Sequence, residues 1–176
     1  QLPEVIAKLN VTMGYPMRNA PIYAFLDAVL DLQRYAKSKE GLVTFYHKPV
    51  LDLLAYSYLQ SADAGWASDA AQKIQNENWV DVPQNLVSKE NTLFALVFQK
   101  VGSDSLLDYL LEIIQFLAKE LQEDPTQKSY LFQAFKQLNR VKEIFRSSGT
   151  KELKVEFLLS LFRKLFRDLK LPFEGE

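Results

Sequence analysis

Apolar residues recur at helical spacing along nearly the whole chain, and strand-like alternation is almost absent. The first clear amphipathic stretch follows Asn19, with Pro21 in its opening turn, where a missing N–H costs nothing. Ile22, Phe25, Leu26, Val29, Leu32 and Tyr35 share one face of it, and Gly41 marks its end. A second helix is predicted from Pro49 through Leu53, Leu54 and Leu59 to about Ser61, then a short polar one over 63–78. Trp79–Pro83 reads as a connector in which Pro83 holds Val82 extended. Further helices are predicted over Ser88–Val101 and Asp104–Gln122, with Ser103 capping the latter. Pro125 opens the next, which runs to Ser147, and Thr150 caps a last one that reaches Lys170 ahead of Pro172. Residues 1–18 suggest a short helix over Pro3–Leu9 and a loop through Gly14 to Pro16.

This pattern predicts an all-α, single-domain bundle of six to seven helices over 1–176. Short loops between long helices make sequential neighbours antiparallel, so the second half reads as an up-down bundle ending in a helical hairpin over 126–170. A chain of 176 residues buries roughly 70% of the surface its unfolded form exposes, so it folds without a metal or a disulfide. The absence of cysteine excludes disulfides, thiolate nucleophiles and cysteine metal sites, and fits a reducing, cytoplasmic setting. No apolar run approaches the roughly 18 residues of a membrane span.

Candidate chemistry is sparse. His47 is the single histidine and has no partner at metal-ligand spacing, so it reads as a structural or surface residue. Neither GxGxxG nor GxxxxGK[ST] occurs. The acidic pairs Asp104/Asp108 and Asp108/Glu112 sit four apart near a helix start, where carboxylates suit the helix dipole. No catalytic residue, metal site or cofactor is therefore expected. An enzyme or ligand-binding alternative would have to assemble its site from scattered groups such as Tyr46, His47, Asp52 and Trp79.

Charge changes the picture. Residues 1–127 hold ten Lys and Arg against sixteen Asp and Glu, a net of −6. Residues 128–170 hold eleven against four, a net of +7, and a chain of overall charge −1 thus hides a basic hairpin. Lys136 and Arg140 are four apart, as are Lys142 and Arg146, on the side away from Leu131, Phe135 and Leu138. In the last helix Arg163, Arg167 and Lys170 lie together, opposite Leu158, Leu161 and Leu165. Side by side, the two helices would present these seven residues as one stripe, suited to a phosphate backbone through counterion release and direct pairing. No base-reading motif accompanies it, so such binding would be non-specific. The plain alternative is a solvated face, which every amphipathic helix has.

A small, cysteine-free, all-helical domain with a basic face resembles the small subunit of class 1 CRISPR interference complexes of the Cascade type, which in turn looks like the helical C-terminal domain of the large subunit. The segment GLVTFYHKPVLDLL (41–54) is similar to a stretch near the start of that region in type I-D large subunits, and the later helices match in pattern. The start at Gln1 and the internal Met13 and Met17 fit a separately made product of such a region. The resemblance implies a non-catalytic subunit of a ribonucleoprotein complex in antiviral defence. It would pack against other subunits, copies of itself included, and touch the guide RNA–target DNA duplex or the displaced strand through Lys and Arg. The rival expectation is a protein–protein adaptor that docks on an acidic or helical partner.

Overall fold

A computed structural model describes residues 15–121, 124–149 and 154–171. The expected helix over Pro3–Leu9, the loop at Gly14, the Thr150 cap and the stop at Pro172 lie outside the described residues.

The chain is predominantly helical, as its periodicity predicts. In order it forms β1 (Tyr15–Pro16), a 3₁₀ turn (Met17–Asn19), α1 (Pro21–Arg34), β2 (Lys37–Lys39), β3 (Leu42–Tyr46), α2 (His47–Ala55) and α3 (Ser57–Asn76). Then come β4 (Asp81–Pro83), α4 (Gln84–Val87), α5 (Leu93–Val97), α6 (Leu106–Glu120), α7 (Pro125–Ser147), α8 (Val155–Asp168) and β5 (Lys170–Leu171). Eight α-helices stand among the described residues, where six to seven were expected; the added one is α4, a single turn between β4 and the predicted Ser88–Val101 helix. The predicted Ser88–Val101 helix shrinks to α5, which Thr92 starts by accepting from the Phe94 N–H, and Ser88 is extended at the end of α4. The predicted 49–61 helix breaks at Tyr56, whose backbone is extended (ψ 142°).

α1 is the axis of the fold. Its buried residues Ile22, Phe25, Leu26, Val29, Leu30 and Leu32 cover more than one stripe, and α2, α7 and α8 pack around it. Pro21 opens it as expected, but Ala20 rather than Asn19 is the residue at its N-cap. α7 begins where the sequence places it, because the Asp124 carboxylate accepts from the N–H groups of Thr126 and Gln127 at 2.9 and 3.0 Å and Pro125 needs no partner. Gly149, at φ 72°, follows its end.

The sheet is the main departure from the expected all-α chain. β2 and β3 form a hairpin with Lys39 opposite Leu42, and the two residues between them, Glu40 (φ 52°) and Gly41 (φ 80°), have the positive φ values of a type I′ turn. Gly41 thus closes a hairpin, and α1 stops earlier, at Arg34. β4 adds to β3 with Val82 opposite Phe45, so the proline-extended connector is a strand. Far along the chain, β5 pairs antiparallel with β1, and the Met17 N–H donates to the Leu169 carbonyl at 2.8 Å. This clamp fixes the end of α8 beside the start of α1.

The two helices of the basic hairpin take different neighbours. α7 lies mainly against α6, and α8 mainly against α1 and the 3₁₀ turn. An edge contact between the rings of Phe145 and Phe157, 6.0 Å apart, joins the α7 and α8 ends. The up-down order of the second half therefore holds for α6 and α7, while α8 crosses to α1 because Phe162 and Phe166 are its buried anchors there.

Candidate nucleic-acid interface

α8 and α1 leave a groove of about 750 Å³ between them. Tyr23 of α1 stacks flat on Phe162 (centroids 5.3 Å apart, planes 4° apart), which sets the spacing of the helices at the groove floor. Around that floor stand Arg163, Lys164 and Arg167 of α8, Arg34 from the last turn of α1, and Arg18 from the 3₁₀ turn. The lining has five cationic residues from three segments and one carboxylate, Glu156. Helical spacing explains the α8 side, since Glu156, Ser160, Arg163 and Arg167 recur every three or four residues.

Arg163 is held in place. Its Nε and Nη2 donate to the two carboxylate oxygens of Asp27 at 2.7 and 2.9 Å, a planar two-point grip. That hydrogen-bonded carboxylate raises the guanidinium pKa against the smaller opposing effect of burial, so Arg163 stays charged. Burial, then Asp27, raises the Tyr23 phenol, with Arg163 and Arg167 pulling the other way. Tyr23 therefore remains neutral and adds no negative charge to the groove.

A second groove of about 480 Å³ opens between α1 and α2, lined by Asp27, Asp31 and Asp52 over a floor of Ala24, Ala28, Pro49 and Ala55. α1 thus carries carboxylates towards α2 and a cation, Arg34, towards α8, and Asp27 links the two sides through Arg163. Among the described residues no group of three or more His, Asp or Glu has the geometry to hold a metal ion.

The sequence-derived candidates divide between two places. Arg163 and Arg167 line the α1–α8 groove. Lys136, Arg140 and Arg146 are exposed along α7, Lys142 is ion-paired with Asp108 of α6, and Lys170 is exposed on β5. Because α8 packs on α1, the groove it forms is shared with α1 and not with α7. Arg18, Arg34 and Lys164 escaped the sequence reading. Lys164 had a signal, as the neighbour of Arg163, but Arg18 and Arg34 sit in the acidic part of the chain and reach α8 only through the fold.

Of the groups of the alternative site, the Tyr46 and His47 rings touch (4.5 Å), and His47 Nδ1 lies 3.3 Å from the Val80 carbonyl. Asp52 lines the α1–α2 groove, and the Trp79 indole N–H donates to Glu77 at 2.8 Å.

The chain matches no protein-family model, and no curated protein or solved structure matches it. No helix among the described residues is long and apolar enough to cross a membrane.

Proposed function

We propose that this chain is a non-catalytic nucleic-acid-contacting component of a larger assembly, binding phosphates without sequence preference through the α1–α8 groove. The observation that carries this reading is the convergence of Arg18, Arg34, Arg163, Lys164 and Arg167 on one groove. Four of the five are guanidinium groups, whose planar donor fork matches phosphate oxygens. The exposed cations of α7, Lys136, Arg140 and Arg146, would extend the positive field beyond the groove. The resemblance to CRISPR small subunits names an assembly in which such a component would work, an RNA-guided complex in the cytoplasm whose duplex or displaced strand it would touch. The test is anisotropy with labelled oligonucleotides at several salt concentrations. The reading expects binding that weakens steeply with salt, and a weaker, flatter response after Arg34→Glu with Arg167→Glu. No binding at low salt overturns it.

A second reading, a protein–protein adaptor, is favoured by one observation. An apolar groove of about 300 Å³ between α6 and α7 is lined by Ile114, Ala118, Leu131 and Phe135, and Phe132 at its edge is 62% exposed. This reading expects a discrete heteromeric complex that survives nuclease treatment.

A further inference from the structure

The C-terminal end of α1 places an aromatic surface at the edge of the basic groove. Arg34, which lines the groove, is the last residue of α1, and its guanidinium carbon lies 5.3 Å from the ring centre of Tyr35. Tyr35 caps the helix and is 42% exposed, a large aromatic outside the core. The β2–β3 hairpin then returns the chain so that Tyr46, at the end of β3, comes to 5.6 Å from Tyr35. Tyr46 in turn meets His47. One continuous surface therefore runs from the guanidinium groups of the groove, through Arg34, to three ring side chains.

Single scattered aromatics on a surface need no explanation. Here the rings adjoin the cations of the groove and are joined to them by a shared arginine. Bases in a duplex are paired and stacked internally, and their faces are not available to a protein surface. Bases of a single strand are, and grooves that track the backbone with cations while rings stack the bases are the usual means of holding one. Guanidinium planes add to this by stacking on the same rings and bases.

Resting on the phosphate-binding reading of the groove, we propose that its ligand is single-stranded nucleic acid, the backbone lying along Arg163, Arg167 and Arg34 and a base stacking on the Arg34–Tyr35 surface beside Tyr46. The strand is gripped by charge and selected over duplex by stacking.

The test uses the full chain and three labelled probes of equal length at one salt concentration: oligo-dT, an abasic oligonucleotide with the same number of phosphates, and a duplex. Oligo-dT is expected to bind about tenfold more tightly than the abasic strand, the scale of one or two stacked bases. Tyr35→Leu, which keeps bulk without a π face, closes that gap, and Tyr35→Phe preserves it. Equal affinity for oligo-dT and the abasic strand overturns the stacking proposal while leaving the phosphate reading intact. If none of the probes binds, both fall together.

Discussion

Arg163 and Asp27, 136 positions apart in sequence, meet in a two-point ion pair that locks the basic face of α8 onto the central helix. The pair adds to the buried Phe162 and Phe166 in holding α8 on α1, and it sets the cations of α8 on the side of Arg34. It is also half exposed, with side-chain accessibilities of 47% and 25%, so its own stabilisation is modest, of the order of 0.2–1 kcal/mol. Asp27→Ala is expected to lower stability by no more than that in urea unfolding. It should also tighten oligonucleotide binding at low salt, because a carboxylate beside the groove is removed. Weakened binding in a folded Asp27→Ala protein would show that Arg163 must be held rigidly to function.

The packing of α8 separates its aromatic residues sharply. Phe162 is buried against Tyr23, whereas Phe157 is 52% exposed. Phe162→Ala is expected to cost about 3–5 kcal/mol, and Phe157→Ala no more than about 1 kcal/mol because it loses chiefly one ring contact. Thermal unfolding of the two variants measures the difference, and equal losses would contradict the placement of α8 on α1.

Gln33 is the one buried polar residue in the described core, and its amide joins α1 to the segment before α6. Its Nε2 donates to the Gln99 carbonyl (2.7 Å) and to the Tyr109 hydroxyl (3.3 Å), and its Oε1 accepts from the Val101 N–H (3.0 Å). Tyr109 passes the chain on by donating to the Val97 carbonyl at 2.6 Å. Gln33→Leu keeps the volume but takes the partner from the Gln99 carbonyl and the Val101 N–H, at about 1–3 kcal/mol for each. Denaturant unfolding should show a loss of that size for each of the two groups. An unchanged midpoint would mean that water replaces the amide.

Alkaline pH should unfold the protein through its buried phenols. Burial pushes Tyr58 up to about 12, with Asp124 adding to the effect, and its hydroxyl donates to Gln127 at 3.0 Å. Tyr109 is raised further by burial against the opposing hydrogen bond from Gln33. An unfolded tyrosine ionises near about 10. The folded state favours the neutral phenol, so this contribution is complete below about pH 10 and is lost as pH rises through the folded value. Stability should therefore fall between about pH 10 and 12, with phenolate absorbance from these two rings appearing together with loss of helical circular dichroism. Tyr58→Phe should make that fall shallower, and an identical slope would contradict the assignment.

The sequence made helices legible wherever local signals agreed. α7 is bounded where Asp124, Pro125 and Gly149 place it, and Pro21 opens α1. The hairpin was hidden because Gly41, the natural stop for a helix, closes a turn whose strands are held by pairing with Asp81–Pro83, some forty residues on. The break predicted between the helix ending near Ser61 and the one over 63–78 is present as a kink in α3 at Asp63 (φ −165°, ψ 94°), whose carboxylate pairs with Lys89 at 2.5 Å and accepts from the Trp66 N–H. For the site, charge counting located α8 correctly as a basic helix, but it assigned the helix the wrong neighbour. Whether α8 lies on α7 or α1 is decided by the stacking of Phe162 on Tyr23 and the reach of Arg163 to Asp27, both contacts across more than 130 positions. Arg18 and Arg34 could enter the site only once that contact was known.

The most direct test of the central claim compares two charge reversals of equal size by salt-dependent oligonucleotide anisotropy. One replaces Arg34 and Arg167 by Glu in the α1–α8 groove, and the other replaces Lys136 and Arg140 by Glu on α7. The account predicts that the groove variant loses most of its affinity and flattens the salt slope by about one unit per lost phosphate contact, while the α7 variant loses little. Loss confined to the α7 variant, with the groove variant binding as the native protein does, would contradict it.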